Sequence, residues 1–516
     1  MTCLCSRGDA ARGMRSRRNR PRPPPYLDCV PYRALAMTVT MTSDLRTAFA
    51  AASPRVTPRP MPTSSMLVYA AVLTVFVASL ACAFAARGIW AWSVGLIYLG
   101  YDAALTGLVI ALTRPRRETV AAAAASRPTL CVVIAAHNEA LHLPQTIDAV
   151  RAQSDPADLI VIADDGSTDG TAAMLRARYG VDADGPACTG DRPVVRWLQL
   201  PHQGKARALN AALGHIDSDI VLTLDADTHL EPDALAPIRP AFAADPQLVA
   251  AGGLLEPFCE RSTRGRVMQF FQTYEYVRSV VQRFAWMRLG GLILISGAFA
   301  AFRRDALVKV GGFDTGSLVE DYELTHRLHR YSVEHGEHWR LAMVGGAVAR
   351  TEAPASLITF LRQRRRWYAG FLQTHLWNRD ITGQRRFGGL GTRMLVIKAF
   401  DTLHPIYGLI AVAMLPILLL TGRGSIALAA LALILLKSLI DLAGLVASIG
   451  VYRRVTGRPT ETRLGGALVL AFIEPFSFQL LRQVGAARGW LAFLRGSTDW
   501  GFHSRAAGEL GERDLP

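Results

Sequence analysis

Four groups of polar residues follow one another along the 516-residue chain: Asp164-Asp165-Gly166-Ser167, Asp225-Ala226-Asp227, Glu320-Asp321 and Gln363-Arg364-Arg365-Arg366-Trp367. Each group has a plain structural explanation. Asp-Gly-Ser is a turn sequence, and an acidic pair favours a helix amino terminus. Arg and Trp are common anchors at a membrane surface. Their chemistry points further. Residues two apart on an extended chain share a face, so Asp225 and Asp227 can address one cation, directly or through water. Hard carboxylate oxygens suit Mg²⁺ or Mn²⁺, which would bridge a diphosphate and stabilise its departure. Glu320 and Asp321 offer a carboxylate that can take a proton from an attacking hydroxyl. Arg366 can neutralise a leaving phosphate, and Trp367 offers an apolar face to a sugar ring. Lys205 opens a helix in His202-Gln203-Gly204-Lys205. There an ammonium and free backbone N–H groups can meet uracil or pyrophosphate.

The elements that must carry these residues alternate. Thr129–Ala136, Asp158–Ala163, Val194–Leu200 and Ile220–Leu224 are apolar runs of strand length. Such runs suit strands buried on both faces. Helical patterns fall at Glu139–Gln153, Gly170–Tyr179, Lys205–His215 and Tyr322–Arg330. The polar residues, Asn138 and Glu139 among them, follow the strands. This order predicts an α/β domain with a mostly parallel sheet and its ligand crevice at the strand carboxyl ends.

Apolar segments flank that domain. Half the residues are hydrophobic and mean hydropathy is +0.21. Met66–Ala86 and Gly88–Leu112 are membrane-length. Further spans fall within Met394–Thr421 and Ile426–Val451, and a weaker one at Leu464–Leu481, interrupted by Glu474-Pro475. Leu357, Phe360, Leu361, Tyr368, Phe371 and Leu372 recur at helical spacing beside Arg362 and Arg364 to Arg366, as in a helix lying at a membrane interface. The net charge of +15 gathers near the membrane ends, which argues for membrane lipid and against nucleic acid as the partner. The positive-inside rule puts the central domain in the cytoplasm of an integral membrane protein. Seven scattered cysteines give no disulfide or zinc pattern. The expected layout is a disordered Pro/Arg-rich tail over 1–60, two transmembrane helices within 66–112, a catalytic domain over 127–355, interfacial helices over 356–390, two to three transmembrane helices within 394–494, and a polar tail over 495–516.

In this order and at these separations, the motifs between Leu130 and Trp377 resemble the membrane-bound, processive members of glycosyltransferase family 2, which includes cellulose, chitin, hyaluronan and poly-N-acetylglucosamine synthases. The resemblance implies a GT-A fold, a UDP-sugar donor such as UDP-N-acetylglucosamine or UDP-glucose, Mg²⁺ or Mn²⁺, and inversion at the anomeric carbon. It implies that Glu139, Asp164, Asp165 and Lys205 contact uridine, and that Asp225 and Asp227 hold the diphosphate and metal. It makes Asp321, beside Glu320, the general base. Gln363, Arg366 and Trp367 would close over the donor and the growing chain end, and Ser296-Gly297-Ala298 resembles the acceptor-side loop. The acceptor is then a growing glycan. A glycolipid acceptor taking one sugar is the alternative, and a silent scaffold or sugar-nucleotide sensor is a third reading. A partner subunit is compatible with each.

Overall fold

The computed structural model describes residues 34–114, 127–185, 193–457 and 464–496. An eight-stranded mixed sheet forms the centre. Its strands are β1 Leu130–Ala136, β2 Leu159–Asp165, β3 Val194–Leu200, β4 Ile220–Asp225, β5 Thr228–Leu230, β6 Leu248–Phe258, β7 Phe299–Arg303 and β8 Arg340–Glu352, in spatial order β3-β2-β1-β4-β7-β6-β8-β5. The first four sequence-read strands are all present. β1, β2, β3 and β4 run parallel, whereas β7 is antiparallel to both β4 and β6.

Alternate residues explain why these strands read as unbroken apolar runs. Leu130, Val132 and Ile134 join Leu143, Ile147, Ile160 and Leu175 in one buried layer. Cys131 and Val133 join Val161, Leu209, Leu213 and Leu328 in the other. A strand covered on both faces needs apolar side chains at every position. Register then sets the site: Ala136 pairs with Asp164 and Ala135 with Asp225. The acids therefore emerge at the same end of the sheet, on the two strands that flank β1.

Among the described residues, four helices are long and apolar enough to cross a membrane: Thr63–Ala85, Gly88–Leu112, Leu390–Leu420 and Gly424–Thr456. Leu464–Phe476 and Phe478–Leu494 form a pair bent by 45°. The bend falls at Glu474–Phe476, where proline and a charge interrupt the apolar run. The amphipathic helix Leu357–Trp377 packs along Phe478–Leu494. A Cβ on Gly485 would lie 2.6 Å from the Arg364 side chain, and one on Gly489 would lie 2.7 Å from that of Tyr368. Part of its basic stretch faces inward, since Arg364 pairs with Glu275 at 2.7 Å.

The amino-terminal segment corrects the expectation of a disordered tail over 1–60. Residues 1–33, which hold most of its Pro and Arg, lie outside the described residues. From Ala34 the chain forms a helix to Ala52, with Leu45, Ala52 and Ser53 buried. The composition of the first thirty residues concealed this apolar face. Residues 115–126 and the tail beyond 496 also fall outside the described residues.

Candidate active site

The loop after β1 turns through Asn138 in the left-handed conformation, φ 58°. Asparagine tolerates this because its side chain can bond locally. Asn138 Oδ1 accepts the Thr168 N–H at 2.8 Å, and its own N–H donates to Ser167 Oγ at 2.9 Å. The loops after β1 and β2 are thereby tied together. Gly166, φ +67°, lets the β2 loop pass the next one, because a Cβ there would sit 2.7 Å from the His202 nitrogen.

Asp164 and Asp165 brace these loops. Asp164 is wholly buried and accepts from the Ser167 N–H at 2.9 Å and from Trp197 Nε1 at 3.2 Å. Asp165 accepts the N–H groups of Gln203 and Gly204 at 2.7 and 2.9 Å, and lies 2.9 Å from His202 Nδ1. The rings of His137 and His202 stack with centroids 4.1 Å apart. His137, Asp165 and His202 present potential ligand atoms within 4.8 Å of one another, so this group could hold a cation. In the observed arrangement its polar atoms fasten the loop that leads to Lys205. Glu139 is buried beside the same loops.

Lys205 reaches the other half of the crevice. Its Nζ lies 2.5 Å from Asp225 Oδ1 and 3.4 Å from Glu320 Oε1. Asp321 Oδ2 accepts the Gly297 N–H at 2.8 Å, and its Oδ1 accepts the Tyr322 N–H at 2.7 Å. The backbone at 297 comes close to both side chains: a Cβ there would be a tight 3.3 Å from that of Asp321 and in ordinary contact, 3.6 Å, with Lys205 Nζ. Lys205, Asp225, Glu320 and Asp321 thus converge beneath one glycine. The sequence reading placed Lys205 with the uridine-facing acids, whereas here its ammonium lies among the carboxylates of the second and third motifs.

The electrostatics follow from that crowding. Burial works against the Lys205 charge, but Asp225, Glu320 and Asp321 outweigh it and hold the pKa above the ordinary lysine value. Burial and the adjacent Glu320 push the Asp321 pKa up, against the N–H groups of Gly297 and Tyr322 and the charge of Lys205. An elevated carboxylate in a cleft is suited to general-base work. Asp225 and Asp227, both partly exposed at the end of β4, are hard oxygen donors of the kind Mg²⁺ or Mn²⁺ takes.

The fourth motif meets the third through the loop before Glu320. Arg366 donates to the Leu318 carbonyl at 3.1 Å, and Trp367 packs against the core with the Arg364 guanidinium 4.5 Å from its ring. Gln363 Oε1 is buried without a hydrogen bond among the described residues. Several contributors escaped the sequence reading. Thr223, a lone polar residue inside β4, donates to the Gly297 carbonyl at 3.1 Å and fixes that loop. Burial lowers the pKa of Arg283, on the helix Thr263–Arg288, and the charge of Asp321 opposes that shift. The hydroxyl in an apolar strand was a visible signal, but nothing local marked Arg283.

Comparison with known proteins now bears on this geometry. Residues 131–311 match the model of Glycosyl transferase family 2. The matched stretch begins in β1 and includes β7, so the similarity to that family covers most of the sheet that bears the site. Over 240 residues it is 30% identical to the poly-beta-1,6-N-acetyl-D-glucosamine synthase of Staphylococcus aureus (strain COL), covering 46% of this chain and 53% of that protein. It is 26% identical over 294 residues to the synthase of the same name from Staphylococcus epidermidis, covering 56% and 65%. The chain therefore spans roughly half to two thirds of these relatives. In structure it resembles mannosyltransferase PcManGT from Pyrobaculum calidifontis, solved with GDP-Man and Mn2+, at TM-score 0.53 and 21% identity over 78% of this chain and 99% of that one. That likeness shows the GT-A fold of the glycosyltransferase domain.

Proposed function

We propose that this protein is an inverting membrane glycosyltransferase that builds a polysaccharide from a UDP-sugar, UDP-N-acetylglucosamine or UDP-glucose. The observation that carries the reading is the convergence of Lys205, Asp225, Glu320 and Asp321 around Gly297. Asp321 takes the proton of the acceptor hydroxyl as that oxygen attacks the anomeric carbon from the face opposite the diphosphate. The new C–O bond forms while the bond to phosphate breaks, and UDP departs with the electron pair. Asp225 and Asp227 would hold Mg²⁺ or Mn²⁺, which supplies charge to stabilise the leaving diphosphate. Arg366 adds a fixed positive charge beside it, and Trp367 gives the sugar an apolar platform. Glu139, Asp164 and Asp165 shape the uridine end. The names of the staphylococcal relatives favour N-acetylglucosamine. The domain faces the cytoplasm, where nucleotide sugars are made, and the membrane supports the growing glycan.

The test uses inverted membrane vesicles, Mg²⁺ or Mn²⁺ and a panel of radiolabelled UDP-sugars, with the product sized beside an Asp321→Asn control. Long polymer from one donor supports the proposal. One sugar on lipid moves the assignment to a glycolipid transferase. No turnover of any donor by folded protein overturns it for the chain acting alone.

A further inference from the structure

The segment ahead of the first apolar helix grips the loop that delivers the catalytic carboxylates. Arg55 lies just beyond the helix Ala34–Ala52. Its Nε and one terminal nitrogen donate to the two oxygens of Asp314 at 2.8 and 2.7 Å. Asp314 is wholly buried, and it also accepts the Gly316 N–H at 2.8 Å. A buried carboxylate needs such partners, and the forked guanidinium fixes its orientation as well as its charge.

The surrounding contacts make this a clamp on one loop. Gly311, φ +82°, sits directly under the arm: a Cβ there would be 2.2 Å from the Phe49 nitrogen. Asn210, on the helix that Lys205 opens, holds the loop from the other side. It accepts the Phe313 N–H at 2.7 Å and donates to the Phe313 carbonyl at 2.8 Å. Arg327, on the helix Glu320–His335, donates to the Gly312 carbonyl at 2.8 Å and lies 4.8 Å from the Phe49 ring. Arg55 is also 5.7 Å from the Trp377 ring at the end of the fourth motif's helix. Between Asp314 and Glu320 the loop offers its Leu318 carbonyl to Arg366.

We propose that Arg55 is a positioning residue: through Asp314 it sets the loop 314–319, and with it the placement of Asp321 against the acceptor and of Arg366 against the departing phosphate. This rests on the glycosyl-transfer reading for its effect on turnover, but not for its effect on the loop. Misplacing a reacting group by about 1 Å can cost roughly a hundredfold in rate.

The experiment uses the full chain in nanodiscs as wild type, Arg55→Ala, Arg55→Lys, Asp314→Asn and the Arg55→Ala/Asp314→Asn double variant. Amide hydrogen exchange across 311–322 is read first, without any donor. Faster exchange there in Arg55→Ala, partly restored by Arg55→Lys, is the expected result; unchanged exchange overturns the proposal. With whichever UDP-sugar the wild type turns over, kcat should fall roughly tenfold to a hundredfold in Arg55→Ala while the donor KM stays within roughly threefold. The double variant, which removes the orphaned buried charge, should lose less than the two single losses multiplied together. A lower thermal midpoint with unchanged kcat per folded molecule would show that the arm only stabilises the domain, and would also overturn the proposal. A wild type that turns over no UDP-sugar counts against the functional reading, and the exchange result still decides the clamp.

Discussion

Asp321→Asn isolates the chemistry of one atom group. Asparagine has the shape of aspartate, but its one carbonyl oxygen can accept only one of the Gly297 and Tyr322 N–H groups now bonded at 2.8 and 2.7 Å. Lys205 keeps Asp225 and Glu320 as partners. The change therefore keeps the shape of the donor pocket and removes proton acceptance together with one backbone hydrogen bond. General-base catalysis contributes roughly 10²–10⁴ in rate, or about 3–5 kcal/mol of barrier at 1.36 kcal/mol per tenfold. Turnover should fall by that factor with UDP affinity within about threefold of wild type. A linked stability effect has a defined sign. Burial and Glu320 raise the Asp321 pKa above its ordinary value of 3.8, so the folded state holds this proton more tightly than the unfolded chain does. Ionising it costs stability as pH rises through the window between those two values. At neutral pH the asparagine variant escapes that cost, which offsets the backbone hydrogen bond it loses, and its thermal midpoint should stay near that of wild type. The assay pairs polymer synthesis with UDP binding by calorimetry and a thermal melt in one nanodisc preparation. Near-normal turnover would remove Asp321 as the base. Lost UDP binding or a lower midpoint would show that the variant damages the site's framework, and the argument from isostery would be wrong.

Three further outcomes follow from the same geometry. Glu320→Gln removes the like charge that helps raise the Asp321 pKa, so the acid limb of the kcat–pH profile should move to lower pH; a limb that stays put or moves up contradicts the coupling. Asp227→Asn should raise the Mn²⁺ concentration needed for half-maximal activity, and unchanged metal dependence would take Asp227 out of the cation site. Asp380→Ala removes the shorter of the two carboxylate contacts of Arg330, a pair at 2.6 Å with both side chains at most 2% exposed, and leaves Glu334 at 3.2 Å and the Asn378 side-chain oxygen. Losing that carboxylate from a buried guanidinium that keeps its other partners should cost about 1–3 kcal/mol, read as a drop in thermal midpoint against an Arg330→Met/Asp380→Leu double variant that loses less.

The parts of this fold that sequence reveals are those with a local cause. β1 and β2 must be apolar at every position because both faces are covered, and their bounds were legible within a residue or two. The helix after β1 is shorter than its pattern, running over Leu143–Arg151, because Asn138 and Glu139 are spent on the loop and Pro144 fits the first turn. The antiparallel β7 and the long β8 carry no local mark of their direction, since strand order is decided by the helices packed between them. The arm is the clearest case of a hidden element. Leu45, Phe49 and Ala52 recur at helical spacing, but they follow a Pro/Arg-rich run that dominates the composition. Arg55 looked like one more basic residue, and only the fold brings Asp314, 259 positions away, to its guanidinium. Lys205 shows a third kind of gap. Its place on a helix amino terminus was readable, but which carboxylates it meets depends on how the crevice closes.

The spacing of Gln363, Arg366 and Trp367 has a geometric reason in the two surfaces their helix must satisfy. At 3.6 residues per turn, positions 363, 366, 367 and 370 share one face, while 364 and 368 lie together on another. The second face seats on the bent pair. Arg364 and Tyr368 fill the room left by Gly485 and Gly489, and Arg364 is tied to Glu275, itself 3.8 Å from Arg482 of that pair. The first face meets the glycosyltransferase domain. Gly370 presses on Val319, 2.5 Å from where a Cβ would be, and Arg366 bonds the neighbouring Leu318 carbonyl. A shift of one residue along the helix would rotate all of these side chains by about 100° and exchange the two surfaces. The two positions between Gln363 and Arg366 are therefore not spacers. Arg364 holds the helix to the bent pair, so that Arg366 reaches the loop that leads into Glu320 and Asp321.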